Sequence, residues 1–492
     1  MRPLWAGATR VVLVAAAVGA ALTAAYLPSA TLRPGTGAPG ASAAPSSGPV
    51  SLTELACPGP QTAGLAGVDE VLGTTTVLAA APPTGLVGTG GPGAIAGLTL
   101  PGKRPLFTGT DPGAVSQAPL DGPIAALVSG RGALAPGLVA SQFWSAGTGD
   151  TRALVATPCL TPKAEHWLVG GGAQAARRER LILTNAGANP VTATVTVLGT
   201  TGTLPSIGTN TVTVPPMSRL ALLLDALAPQ DASPVVHVVA TGGRLAAVLD
   251  DAWIDGATGR GSDDAVSLTE PAGRVVLPIG LARATRLRVA VPGPADAQVT
   301  TTLLTPSGRK SPPSNGVATV AHGTSADIDL TAVTEPVFAV ELSSTVPIIA
   351  GALVQRYAAV PAGGSIADAQ SDLAWIPAMP AAGTLAGAVL APAEVPSDQV
   401  ATLFLASPDG ASVSVTTTSA GQAVRVSVDI PAGGVTTVDV STTSQVWVSG
   451  GGQSVFAAVS LGRKSADPPL LAVLPLPGLT LVADALVIRD VG

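Results

Sequence analysis

Beyond residue 50, apolar and polar positions alternate with a period of two, in short runs closed by glycine, proline or asparagine turns. Such runs predict half-buried strands rather than helices. The clearest stretch is 165–202, EHWLVGGGAQAARRERLILTNAGANPVTATVTVLGTTG. It predicts an entry strand over 167–171, a second over 180–185 (RLILTN) and a third over 192–198 (TATVTVL). In the third, Ala193, Val195 and Val197 face inward and the threonines outward. Further runs at 211–214, 219–224, 235–240 and 244–249 follow. Short strands at turn spacings of about 8–12 residues fit an immunoglobulin-like sandwich.

The pattern repeats. RLRVAVPG (286–293) answers RLILTNAG (180–187), and QVTTTLLTPSG (298–308) answers TATVTVLGTTG (192–202). The paired run VVHVVATGGRLAAVL (235–249) recurs as VFAVELSSTVPIIAGAL (337–353), as VWVSGGGQSVFAAVSL (446–461) and, more loosely, as IAALVSGRGALAPGLVA (124–140). Each copy reads as a hairpin, and the copies lie roughly 100–110 residues apart, the size of one sandwich. The expected fold class is therefore all-β, tandem immunoglobulin-like β-sandwich modules after an N-terminal signal or anchor helix. The expected modules are 51–160 (divergent), 161–257, 274–358 and 371–492, the last with a C-terminal tail strand. Residues 255–273 and 361–370 read as inter-module loops.

Arg2 and Arg10 precede an uncharged run over 11–27, and the next basic residue is Arg33. About 20 apolar residues span a bilayer, so the run is just long enough for an anchor. Positive charge ahead of it places the rest of the chain outside the cytoplasm. Small residues at 23–25 and 28–30 also suit a signal peptidase, so residues 1–30 are either a cleaved signal peptide or a retained transmembrane anchor. Residues 31–50, rich in Pro, Gly, Ala and Ser, are a flexible linker. The uncharged stretches 373–393 and 470–483 are broken by prolines and do not read as spans.

Export changes the meaning of the two cysteines. Cys57 and Cys159 flank the first module and are expected to pair, closing a loop of roughly 100 residues; the alternative is two buried free thiols. Charged residues make up 11% of the chain and the net charge is -6, which argues against a nucleic-acid partner.

Catalytic motifs are sparse. There is no H-E-x-x-H, C-x-x-C or G-x-S-x-G, so zinc-hydrolase and nucleophile-elbow chemistry has no signature here. The G-x-G-x-x-G match at 88–93 contains Pro92 and runs into a strand-like segment, so it is a glycine loop rather than a dinucleotide site. His237, inside VVHVVA, reads as a strand-borne structural histidine. Glu165 with Trp167 reads either as a sugar-stacking pair or as core. The run 177–180 (RRER) reads as an anion-binding patch or a charged turn.

The densest acidic patch is Asp250, Asp251, Asp255, Asp263, Asp264 and Glu270. Over 250–273 no strand pattern is visible. Asp250, Asp251, Asp263 and Asp264 are accordingly the candidate residues of a partner-binding or calcium-binding loop, against the plainer alternative of a solvated linker.

Cys57-Pro58, Pro158-Cys159, EHWLVGGG (165–172) and RLILTNAGANPVTATVTVLGTTG (180–202) resemble an uncharacterised family of secreted actinobacterial proteins, a domain of unknown function. The resemblance implies export and a β-rich envelope protein, and it carries no catalytic residue. The expected function is that of an exported, non-enzymatic cell-envelope repeat protein binding an unknown envelope protein or glycan, with no cofactor. Membrane contact comes through the N-terminal segment if that is uncleaved. The alternatives are an accessory subunit of a cell-wall or glycan assembly machinery, and an enzyme with a dispersed site.

Overall fold

Alternation translates directly into strands. In Val191–Gly199, Val191, Ala193, Val195 and Val197 are buried while the intervening threonines are half-exposed. The computed structural model describes residues 48–483 apart from 61, 64–69, 89, 148, 150, 281–282, 315, 361 and 465–469. The N-terminal apolar run and most of the linker lie outside the described residues. Among those described, the non-strand elements are two 3-10 turns, Leu224–Ala226 and Ile366–Asp368. No described helix is long and apolar enough to cross a membrane.

The strands build two-sheet β-sandwiches that share one wiring. In the second sandwich, one sheet runs Glu165–Val169, Val235–Thr241, Val191–Gly199, with Gly202–Thr203 and Thr211–Val214 at its edge. The other runs Ser218–Leu223, Arg177–Asn185, Ala246–Asp255, Thr258–Val266. The first sandwich repeats this with Leu52–Cys57, Ala125–Gly132, Gly93–Leu100, Pro105–Gly109 against Ser116–Leu120, Thr75–Ala80, Val139–Ala146, Ala153–Pro158. The last repeats it with Gly383–Val389, Gln445–Gly452, Ala411–Ser419, Gln422–Ile430 against Gly434–Asp439, Gln399–Ser407, Phe456–Arg463, Ala472–Pro475.

In the third, the 20-residue strand Phe338–Tyr357 serves both layers. Its first half pairs with Ala272–Gly280 and Ala297–Thr305, its second with Arg283–Ala290 and Ser371–Pro377.

Three features differ from the sequence-based expectation. The recurring paired run is not a hairpin: Val235–Thr241 and Ala246–Asp255 lie in different sheets and pair with other strands. The turn at 242–243 carries the chain across the core instead of back along itself. Residues 255–273 are not simply a loop, because Thr258–Val266 is the last strand of the second sandwich. The corresponding strand of the third sandwich is Ser371–Pro377, which pairs with Phe338–Tyr357 beyond the 3-10 turn Ile366–Asp368.

Cys57 and Cys159 are bonded across a sequence separation of 102. Beside them Ala56 and Leu160 exchange both backbone hydrogen bonds, at 2.8 and 2.9 Å. A disulfide of this kind belongs to an oxidising compartment. The cores run on between sandwiches. Ile349, Leu353, Leu373 and Trp375 pack with the apolar residues of the second sandwich, and Leu154 and Ala156 with those of the last. Residues 48–484 accordingly form one compact unit.

Candidate functional site

The four candidate aspartates are brought together, but not on a loop. Asp250 and Asp251 lie on Ala246–Asp255, Asp263 and Asp264 on Thr258–Val266, and the register sets Asp250 opposite Asp264 and Asp251 opposite Asp263. All four are at most 5% exposed. This corrects the expectation of a solvated or partner-facing loop. Alternation was invisible because this sheet edge is covered on both faces. Ile182, Val248 and Val266 pack against Ala56 and Leu160 of the first sandwich, while Leu181, Leu249 and Ala265 belong to the second sandwich's own core.

Like charges directly opposite in a sheet repel, so the arrangement depends on what surrounds it. Asp251 is held most completely. Arg177 donates to it through Nε at 2.8 Å and through Nη2, the Gly171 N–H donates at 3.2 Å, and the Trp375 indole at 2.5 Å. The Arg177 guanidinium lies over the rings of Trp253 and Trp375, at 5.4 and 5.9 Å from their centroids. Asp263 accepts from the Trp375 backbone N–H at 2.7 Å, and Asp264 from the Thr157 hydroxyl at 2.6 Å. Asp250 has Arg180 at 3.8 Å and a weaker pull from Arg219, and neither carboxylate oxygen accepts a hydrogen bond.

Residues far apart in sequence complete the cluster. Asp372 accepts backbone N–H groups from Leu154 at 3.0 Å, Leu471 at 2.8 Å and Leu373 at 3.0 Å, so one carboxylate ties the first, third and last sandwiches. Arg288 donates to the carbonyls of Gly170, Gly171, Ala232 and Pro234 and to Asp327. Gly261, at φ +108, sits where a Cβ would lie 2.3 Å from Asp372 Oδ1, so a larger residue there would force the second and third sandwiches apart.

Burial sets the protonation. It pushes Asp372 up to about 7 against the pull of its three N–H donors and Arg152. Burial, and then the Asp251 carboxylate, push Glu179 up to about 7. Asp250 is driven well above the usual range by burial and by Asp264, and Asp263 by burial with further repulsion from Asp264 and Asp372. Burial also opposes charge on Asp251, yet the Arg177 guanidinium and the Trp375 and Gly171 donors more than reverse it. The cluster thus combines one firmly ionised, fully paired carboxylate with several that favour the neutral form.

Asp372, Trp375 and Arg288 were not picked out from the sequence, and Glu179 was read only within the run 177–180 as an anion-binding patch or charged turn, whereas Arg177, Glu179 and Arg180 are buried in the strand Arg177–Asn185. One signal was present: Asp251-Ala-Trp253 is echoed by Asp372-Leu-Ala-Trp375, at the corresponding sandwich edges.

The other sequence candidates take structural positions. The His237 ring stacks on Trp167 at 3.8 Å between centroids and 9° between planes, and both His237 Nε2 and Trp167 Nε1 bond Glu165, at 2.8 and 3.1 Å. The imidazole therefore occupies the indole face that a sugar ring would need. The glycine loop at 88–93 leads into the strand Gly93–Leu100. Among the described residues, no group of three or more His, Cys, Asp or Glu is placed to hold a metal ion.

Wiring and joint together define an all-β protein of four repeated sandwiches locked by buried charge. Residues 114–441 match the model of a family of unknown function (DUF5719), and the chain belongs to that family. No curated protein matches it. Among solved structures, a tetra-tandem repeat in the extending region of a large adhesion protein aligns at 14% identity over 81% of this chain and 93% of its own, with a TM-score of 0.10.

Proposed function

We propose that the chain is an exported, non-enzymatic protein of the cell envelope, whose repeated sandwiches form a rigid binding or structural module for an envelope protein or glycan. The observation that carries this is the use to which the ionisable groups are put. The densest set of acids in the chain is sealed inside the joint between sandwiches, bound to arginines, indoles and backbone N–H groups, instead of lining a cleft that a substrate could enter. The disulfide supports export.

The test has two arms on the full chain. A reporter active only outside the cytoplasm, fused after Gly492, is expected to be active, and activity of a cytoplasmic reporter alone would end the export reading. Cross-linking in intact cells, followed by capture, is expected to recover a defined envelope protein or glycan. Turnover of glycan or ester substrates by the purified chain would overturn the non-enzymatic part.

A further inference from the structure

Where the first, second and last sandwiches meet, on the side of the disulfide, lies a pocket of about 340 Å³. Its walls are mainly apolar, among them Leu138, Leu160, Leu268, Leu474 and Leu479. Its size falls within the range of roughly 300–1,000 Å³ typical of small-molecule sites.

Two titratable side chains break the apolar lining, Lys163 and His166. Lys163 is exposed along part of its side chain, so its ammonium can reach the rim; it makes a long contact of 3.4 Å to the Leu268 carbonyl, partial burial lowers it from the usual lysine value, and the Glu270 carboxylate pulls the other way. His166 is 1% exposed. Its Nε2 donates to the Leu245 carbonyl at 2.8 Å, and the Lys163 backbone carbonyl also acts on the ring. Burial pushes this imidazole down to about 4, so it is neutral near pH 7.

We propose that this pocket binds a single-chain amphiphile with an anionic head, its alkyl tail lying along the leucine wall and its head paired with Lys163. A tail alone would satisfy the walls, but would leave the ammonium at the rim with only its long contact to the Leu268 carbonyl and the Glu270 charge. A hydrophilic anion would satisfy Lys163 and leave the apolar volume wet. This goes beyond the envelope-binding role, because it requires neither a particular location nor a protein partner.

The experiment is displacement of 11-(dansylamino)undecanoic acid from the full chain by dodecanoate, dodecanol and lysophosphatidylglycerol, each below its micellar concentration. Dodecanoate is expected to displace the probe and to raise the melting temperature. Lys163→Ala should weaken dodecanoate about tenfold, the loss of one charge-assisted contact, and leave dodecanol within about twofold. Leu268→Trp, which narrows the apolar volume, should weaken both. Whichever of dodecanoate and lysophosphatidylglycerol competes better identifies a free acid or a lipid head as the source. Failure of both anions to displace the probe, or equal binding of dodecanol and dodecanoate with no effect of Lys163→Ala, would overturn the proposal. If Leu268→Trp does not fold, the headgroup series and the surface variant Lys163→Ala still decide.

Discussion

Two neighbouring aspartates on one strand face opposite fates. Asp251 is ionised and takes both prongs of a buried guanidinium, so replacing it leaves Arg177 charged and unpaired in the interior. Removing one member of such a pair typically costs about 3–5 kcal/mol, and Asp251→Asn is expected to destabilise the chain by that order in denaturant unfolding. Asp250, by contrast, makes no hydrogen bond and is pushed toward its neutral form, which an amide imitates. Asp250→Asn should therefore change stability by less than about 1 kcal/mol at pH 7. Equal effects of the two variants would contradict the assignment of charge in the joint.

Asp372 gives a second residue-scale prediction, in pH. Its folded value, about 7, lies above the ordinary aspartate value of 3.8, so between those limits the folded chain holds a proton that the unfolded chain has lost. The stability this proton contributes is fully present below about 4 and is lost as pH rises through about 7. His166 works in the opposite sense between about 4 and 6.5, because its folded value is depressed. The clean measurement is therefore a difference. Melting temperatures of wild type and Asp372→Asn, compared from pH 5 to pH 8.5, should show wild type losing stability relative to the variant as pH rises. Parallel curves would mean that Asp372 is ionised throughout.

At the scale of elements, the disulfide joins the strand Leu52–Cys57 to the residue just past Ala153–Pro158, the first and last strands of one sandwich. Closing a loop of about 100 residues removes roughly 4.7 kcal/mol of chain entropy from the unfolded state. The double variant Cys57→Ala, Cys159→Ala should be less stable by several kcal/mol, and reduction of wild type should lower its melting temperature in the same direction.

Most of these elements were legible in the sequence because their two faces differ. Val191–Gly199 and Val235–Thr241 alternate, and both fall where the pattern put them. Thr258–Val266 was not legible for the opposite reason. Its residues from Gly259 onward are buried, on both faces, and it carries Arg260, Asp263 and Asp264, which local chemistry assigns to solvent. The Trp375 N–H and the Thr157 hydroxyl make the aspartates tolerable, and the Ala367 and Ala369 carbonyls, with the nearby Asp255, do so for Arg260; apart from Asp255 these partners lie more than 100 residues away, and no local pattern announces them. The disulfide needed only two cysteines and a compartment, so it could be read.

For the whole molecule, the consequence of the joint is cooperativity. Sandwiches joined by flexible linkers would unfold separately, each with its own midpoint. Here the last strands of the first and third sandwiches touch the acidic strand of the second, and Asp372 holds N–H groups from residues 154 and 471 together. Freeing one sandwich leaves buried carboxylates and arginines in the others without partners, a penalty that couples their stabilities. Two indoles report on the two ends of this coupling: Trp375 inside the joint, and Trp447, fully buried in the last sandwich. With 5-fluorotryptophan at the six tryptophans of the unaltered sequence, the Trp375 and Trp447 fluorine resonances should give coincident transitions in denaturant unfolding. Asp251→Asn should shift both midpoints together, although Trp447 has no contact with Asp251 in the hydrogen-bond network described. Separate transitions, or a shift confined to Trp375, would show that the sandwiches are independent and that the joint serves only as local packing.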